Sequence, residues 1–135
     1  MEKKAYRFYG WQTAGPEIRE LYDRFLAIWA EDTCAPRLRK DWSPQNPTVG
    51  HCSITSFLVQ DLYGGKVYGV QLPDGSYHCY NDINGTVFDL TSEQFQGEVL
   101  PYENNPEQFR EEHFKDEGKY QRYLLLKERF EKANK

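Results

Sequence analysis

Three residues of this chain have the types and the order for nucleophilic chemistry: Cys52, directly after Gly50-His51, then His78, then Asp89. A thiol attacks a carbonyl carbon well once it is a thiolate. An imidazole beside it can take and return the proton, and a carboxylate beyond the imidazole fixes its tautomer and balances its charge. The trio points to thiol-based acyl chemistry on an amide or thioester. It does not point to a substrate.

The hairpin that must bring His78 to Asp89 follows from turn chemistry. Asn84-Gly85 lies between two strand-like runs, 76–83 and 86–90. This pair is the sequence signal for a two-residue type I′ turn, which needs φ > 0 at both central positions. That turn sets Ile83 opposite Thr86, Asn81 opposite Phe88 and Tyr80 opposite Asp89. Side chains alternate between faces, so His78, Tyr80 and Asp89 share one face and lie as diagonal neighbours, roughly 7–8 Å apart at the backbone. Cys79 and Asn81 point the other way and are read as structural.

Cys52 opens a helix. Ile54, Phe57, Leu58 and Leu62 recur at helical spacing, and Gly64-Gly65 is a C-terminal stop. Pro47-Thr48-Val49-Gly50 cannot lie inside a helix, so Cys52 falls in the first turn. Unpaired N–H groups and the helix dipole favour a thiolate there, and the Cys52 N–H is an oxyanion donor. Trp42 and Gln45 precede the nucleophile and can shape a cleft, while Tyr80 can shield the His78–Asp89 bond from water.

The remaining elements read as scaffold. Pro16 starts a helix running to about Ala30, and a short helix follows Pro36. Lys66 to Leu72 is a strand that turns at Pro73-Asp74-Gly75 into the His78 strand, making a meander of at least three strands. Thr91 or Ser92 caps a short helix through Phe95. Asn105-Pro106 starts another that runs to Phe114, and Lys119 to Ala133 forms the last. His113 falls on a charged, solvated helix and gets no role. Cys34 has no evident partner.

Bland readings compete at each position. A cysteine at the start of an apolar helix is commonly a small buried hydrophobe, and Asp89 alone could cap the turn that follows it. A zinc site is the rival for His51-Cys52 and His78-Cys79. It lacks any Cys-x₂₋₄-Cys knuckle, and His78 and Cys79 face opposite sides of a strand. No metal or cofactor is expected, and no phosphate loop, dinucleotide fingerprint or serine elbow occurs.

The 135 residues make one domain, 1–135, with 16% aromatic and 28% charged residues. A net charge of -4 without a basic cluster argues against nucleic acid. No apolar run is long enough for a signal peptide or a membrane span, and three cysteines do not suggest a disulfide framework. A cytoplasmic setting is expected; oligomeric state is left open.

The run from Trp42 to Phe95, with its Gly-x-Cys helix start, Gln-Asp-x-x-Gly-Gly end, His-x-Tyr-Asn strand and Asp-Leu-Thr, resembles the YunG-type family of small bacterial proteins. More distantly, the His78 and Asp89 strands are similar to those of transglutaminase-like proteins, and the order Cys, His, Asp is that of papain-like enzymes. The resemblance implies an α+β fold with a papain-like/transglutaminase-like core, a nucleophile helix packed on an antiparallel meander with flanking helices. It places Cys52, His78 and Asp89 at the triad positions. In that family glutamine usually precedes the cysteine, so His51 or Gln45 would have to take any oxyanion role it has. The function so implied is a peptidase, amidase or deamidase, or transglutaminase-like acyltransferase acting on a peptide or protein-borne group. The alternative is a non-catalytic binding module that keeps the fold. The groove is expected between segment 42–51 and the 72–75 turn with Tyr80.

Overall fold

The computed structural model describes residues 6–133. It is an α+β fold: helices α1 (Gly15–Leu26), α2 (Cys52–Tyr63), α3 (Arg110–His113) and α4 (Glu117–Ala133) surround strands β1 (Lys66–Gln71), β2 (Tyr77–Ile83), β3 (Thr86–Phe88) and β4 (Glu107–Gln108). The strands form one antiparallel sheet in the order β3-β2-β1-β4. Among the described residues no helix is long and apolar enough to cross a membrane.

The hairpin has the expected register, with Asn81 opposite Phe88 and Ile83 opposite Thr86. Asn84 and Gly85 both take positive φ, 52° and 88°, as a type I′ turn requires. β3 stops at Phe88, however, instead of running on to Leu90. Asp89 bridges to Tyr9, and its N–H donates to the Tyr9 carbonyl at 3.0 Å. The β2 edge beyond Asn81 is therefore left without a β3 partner.

α2 is buried nearly all round from Ser53 to Val59, as a helix enclosed on every side must be. It packs on β2 and against α4, and α1 closes the layer. Phe8, Phe25, Ile54, Phe57, Val59, Val67, Cys79, Phe88 and Leu126 fill this main core with no exposure above 0%. Each such aromatic contributes about 1.5–3 kcal/mol on burial. The other face of the sheet carries a smaller core of Val70, Tyr80, Leu100 and Tyr102, with Phe95 against it.

Several boundaries differ from the sequence reading. α1 ends at Leu26, yet Trp29 keeps its place because its N–H still donates to the Phe25 carbonyl at 2.8 Å and its indole reaches Thr55 Oγ1 at 3.0 Å. The helix expected from Asn105-Pro106 to Phe114 forms only as the short α3, Arg110–His113. Glu107 and Gln108 pair with β1 instead, because the Gly69 N–H needs an acceptor and finds the Pro106 carbonyl at 3.0 Å. The last helix starts at Glu117 rather than Lys119. Segment 92–95 is a single 3₁₀ turn without a side-chain cap, because Thr91 and Ser92 bond elsewhere.

Candidate active site

His78 and Asp89 meet as diagonal neighbours: His78 Nε2 lies 2.6 Å from Asp89 Oδ2, with both residues at most 2% exposed. Asp89 is held by more than this bond. Its Oδ2 also accepts the Tyr102 hydroxyl at 2.7 Å, and its Oδ1 accepts the Thr91 N–H and hydroxyl, each at 3.1 Å. The Thr91 contacts are an Asx turn, a local motif legible as Asp-x-Thr. Tyr102 comes from an aperiodic stretch, and no sequence signal marks it. Phe95 stands edge-on to the His78 ring at 4.7 Å and closes the far side.

Nε2 is committed to Asp89, so Nδ1 is the ring nitrogen left for another partner. Burial pushes His78 down, but the Asp89 carboxylate and the Cys52 sulfur outweigh it and raise the group to about 10. The imidazole is a cation at neutral pH.

Gly69 turns its N–H outward to β4, so its partner Cys79 turns its own N–H outward on the opposite side, toward the edge that β3 abandons. α2 packs against β2. The interaction of Cys52 with Cys79 and, after it, the His78 charge hold the Cys52 thiol well below the usual range despite burial. Cys79 responds in the opposite direction: the hydrogen bond to Cys52, burial and the Cys52 charge keep it a thiol. Cys79 faces away from His78, as expected, and the Cys52 and Cys79 thiols shift in opposite directions because each acts on the other. Of the three cysteines only Cys52 is partly exposed.

His78 and Asp89 thus meet across the β2–β3 hairpin, and residues 17–135, which hold them and Cys52, match the family model described as YunG protein. The chain belongs to the YunG family. "Uncharacterized protein YunG" of Bacillus subtilis (strain 168) is 42% identical over 89 residues, covering 66% of this chain and 74% of the relative. No solved structure matches.

The other site residues read from the sequence of this YunG-family chain lie elsewhere. His51 is fully buried. Its Nδ1–H donates to the Val49 carbonyl at 2.9 Å and its Nε2 accepts from Thr33 Oγ1 at 2.7 Å, so it locks the loop before α2 rather than holding an oxyanion. Gly50 makes that loop possible: with φ of 75° its missing Cβ would stand 2.4 Å from Cys34 Sγ. Trp42 donates its indole N–H to Pro47 at 3.0 Å. Gln45 is exposed and lines a groove of about 1200 Å³ with Tyr9, Trp11, Glu93 and Tyr102; neither Cys52 nor His78 lines it. Tyr80 is buried at 3%, packs edge-on against Tyr102 and takes a hydrogen bond from Asn105, so it lines no cleft. An exposed Arg37–Asp74 ion pair at 3.7 Å joins segment 36–41 to the 73–75 turn. His113 is half-buried; it bonds Gln108 and Lys119 and packs on Phe57. Among the described residues no group of three or more His, Cys, Asp or Glu is placed to hold a metal ion. The Cys52 N–H lies in the first turn of α2, where the leading N–H groups have no intrahelical acceptor.

His51 yields a pH test. Burial, partly offset by the Val49 bond, lowers it from 6.5 to about 4, so the folded ring is neutral. A group held below its unfolded value adds stability above that value, lost as pH falls from 6.5 toward 4. Thermal unfolding between neutral pH and pH 4 should cost the wild type about 3 kcal/mol more than His51→Gln. Equal losses in both proteins would mean that the buried ring is already charged.

Proposed function

We propose that the chain is a thiol acyl-transfer enzyme of papain-like/transglutaminase-like type, acting on an amide or thioester carried by a peptide or protein. The observation that supports it is the buried His78–Asp89 pair, bonded at 2.6 Å, whose positive charge helps to hold the Cys52 thiol low. The Cys52 thiolate attacks the carbonyl carbon, and the oxyanion takes the Cys52 N–H. His78 gives its proton to the departing amine or thiol. Water or an acceptor amine then displaces the acyl group from sulfur while His78 takes the proton back. Asp89 holds the imidazole in one tautomer throughout. This chemistry asks for no metal or cofactor, and a reducing compartment such as the cytoplasm suits it.

Incubation with p-nitrophenyl acetate tests the reading. A burst of p-nitrophenol stoichiometric with protein is expected, with an acetyl group on Cys52 by mass spectrometry and neither in Cys52→Ala. Acetylation confined to lysines would sink it.

A second reading, a non-catalytic binding module, draws on one observation: the large groove opens beside Tyr9, Trp11 and Tyr102 and not at Cys52. Retention of a bound peptide by Cys52→Ala as tightly as by wild type, with no acyl-enzyme in either, favours it.

A further inference from the structure

We infer that the groove between Tyr9, Glu93 and segment 44–48 docks an extended, cationic stretch of the peptide or protein that carries the reacting group. What the docked chain delivers rests on the function proposed above; how it is held rests on the groove alone. At about 1200 Å³ the groove exceeds the roughly 300–1,000 Å³ of pockets for drug-sized ligands, a size for several residues of chain. Its walls are tied to the reactive residues. Tyr102 lines it and donates its hydroxyl to Asp89 Oδ2 at 2.7 Å. The Tyr9 carbonyl accepts the Asp89 N–H at 3.0 Å, and the Tyr9 N–H donates to Ser92 Oγ at 2.8 Å. Opposite, residues 44–48 line the groove, and Thr48 precedes Cys52 by four positions. Four residues span at most about 14 Å, so a docked chain needs only four or five more extended residues to reach the thiol.

The lining selects a cation. Among the described lining residues the charged ones are Glu93, Glu98 and Arg7, which leaves an excess of one negative charge. Among the described residues no cation pairs with either carboxylate, and Glu93 takes only the Tyr22 hydroxyl at Oε1. Beside them stands an aromatic shelf. Tyr9 is 36% exposed and stacks on Tyr102 with ring centres 4.0 Å apart. Trp11 already holds the Arg19 guanidinium 5.3 Å from its ring centre, so Tyr9 is the ring left open. Rings and carboxylates together favour a long basic side chain, whose stem packs on the ring and whose head meets the acids.

Fluorescein-labelled octapeptides of alternating arginine and glycine, or of glutamate and glycine, test the docking by fluorescence anisotropy with the full chain. The arginine peptide should bind, less tightly as salt rises, and the glutamate peptide should not. Glu93→Gln together with Glu98→Gln should weaken binding about 5- to 20-fold. Should the Glu93 change disturb the fold, the exposed Glu98→Gln decides alone, with a loss of about 2- to 5-fold. Glu111→Gln, on α3 and outside the groove, should bind as wild type does. An equal loss there would reduce the binding to the net charge of -4, and that, or no preference for arginine, overturns the inference. The same peptides with a C-terminal thioester read delivery: the arginine peptide should acylate Cys52 faster in proportion to its affinity. Acylation by both at one rate removes the docking role and keeps the enzyme. Docking without acylation, in wild type as in Cys52→Ala, removes the function proposed above and keeps the groove's cationic occupant.

Discussion

Iodoacetamide at about pH 5.5 is expected to label Cys52 on the order of 30- to 100-fold faster than free cysteine, whose thiolate fraction there is about 0.1%. Hydrogen bonds from Cys79 and the positive charge of His78 hold the Cys52 thiol low, so it is ionised where free cysteine is not. The gain in rate is smaller than the gain in thiolate, because a thiolate of low pKa is a weaker nucleophile. The rate should climb less steeply with pH than the tenfold per unit of free cysteine. Cys34 and Cys79 should label last, both being buried thiols with raised pKa. Tryptic mapping after limited alkylation reads all three at once. A rate that tracks free cysteine, or labelling of Cys34 ahead of Cys52, would remove the thiolate on which the proposed chemistry depends.

Asp89→Asn should lower that reactivity and the stability together. The carboxylate accepts from His78, Tyr102 and Thr91, and it is 1% exposed. An amide carries no charge. With its oxygen kept by Thr91, its NH₂ faces His78 Nε2 and turns the ring to the tautomer with the proton on Nδ1, which cannot take one from Cys52. Alkylation near pH 6 should drop about 10- to 100-fold, and removing one partner of a buried charge pair should cost about 3–5 kcal/mol. Stability loss alone does not distinguish an orienting residue from a packing one, so Tyr102→Phe supplies the contrast. It removes one hydrogen bond to the same oxygen but leaves the charge, and should cost about 1–3 kcal/mol with Cys52 reactivity nearly unchanged. If Asp89→Asn unfolds more easily while Cys52 reacts as before, Asp89 only supports the fold.

Short-range chemistry decided a large part of this protein from the sequence. Asn84-Gly85 dictated a turn with two positive φ values, and a two-residue turn leaves a single register, so His78 and Asp89 were diagonal before any packing was considered. The apolar spacing after Pro47 and the glycine pair at 64–65 put Cys52 in the first turn of α2. These signals are local: backbone sterics and a period of two or 3.6 act within a few residues.

Tertiary structure decided what local rules cannot reach. The two-residue β4 is too short to show a period, and it forms because the Gly69 N–H must find an acceptor. Tyr102 enters the site from an irregular segment, since only the packing of that segment over the second sheet face brings its hydroxyl to Asp89. His51 looked like part of the site from its place beside Cys52, yet adjacent residues at a helix start point in different directions, and the pocket of Thr33 and Val49 took its ring inward. Cys79 was placed on the correct face, and its coupling to Cys52 comes from the packing of α2 on β2. β3 ends early at Phe88, and the length of that edge strand is set by what Asp89 finds at Tyr9, a residue 80 positions earlier in the chain.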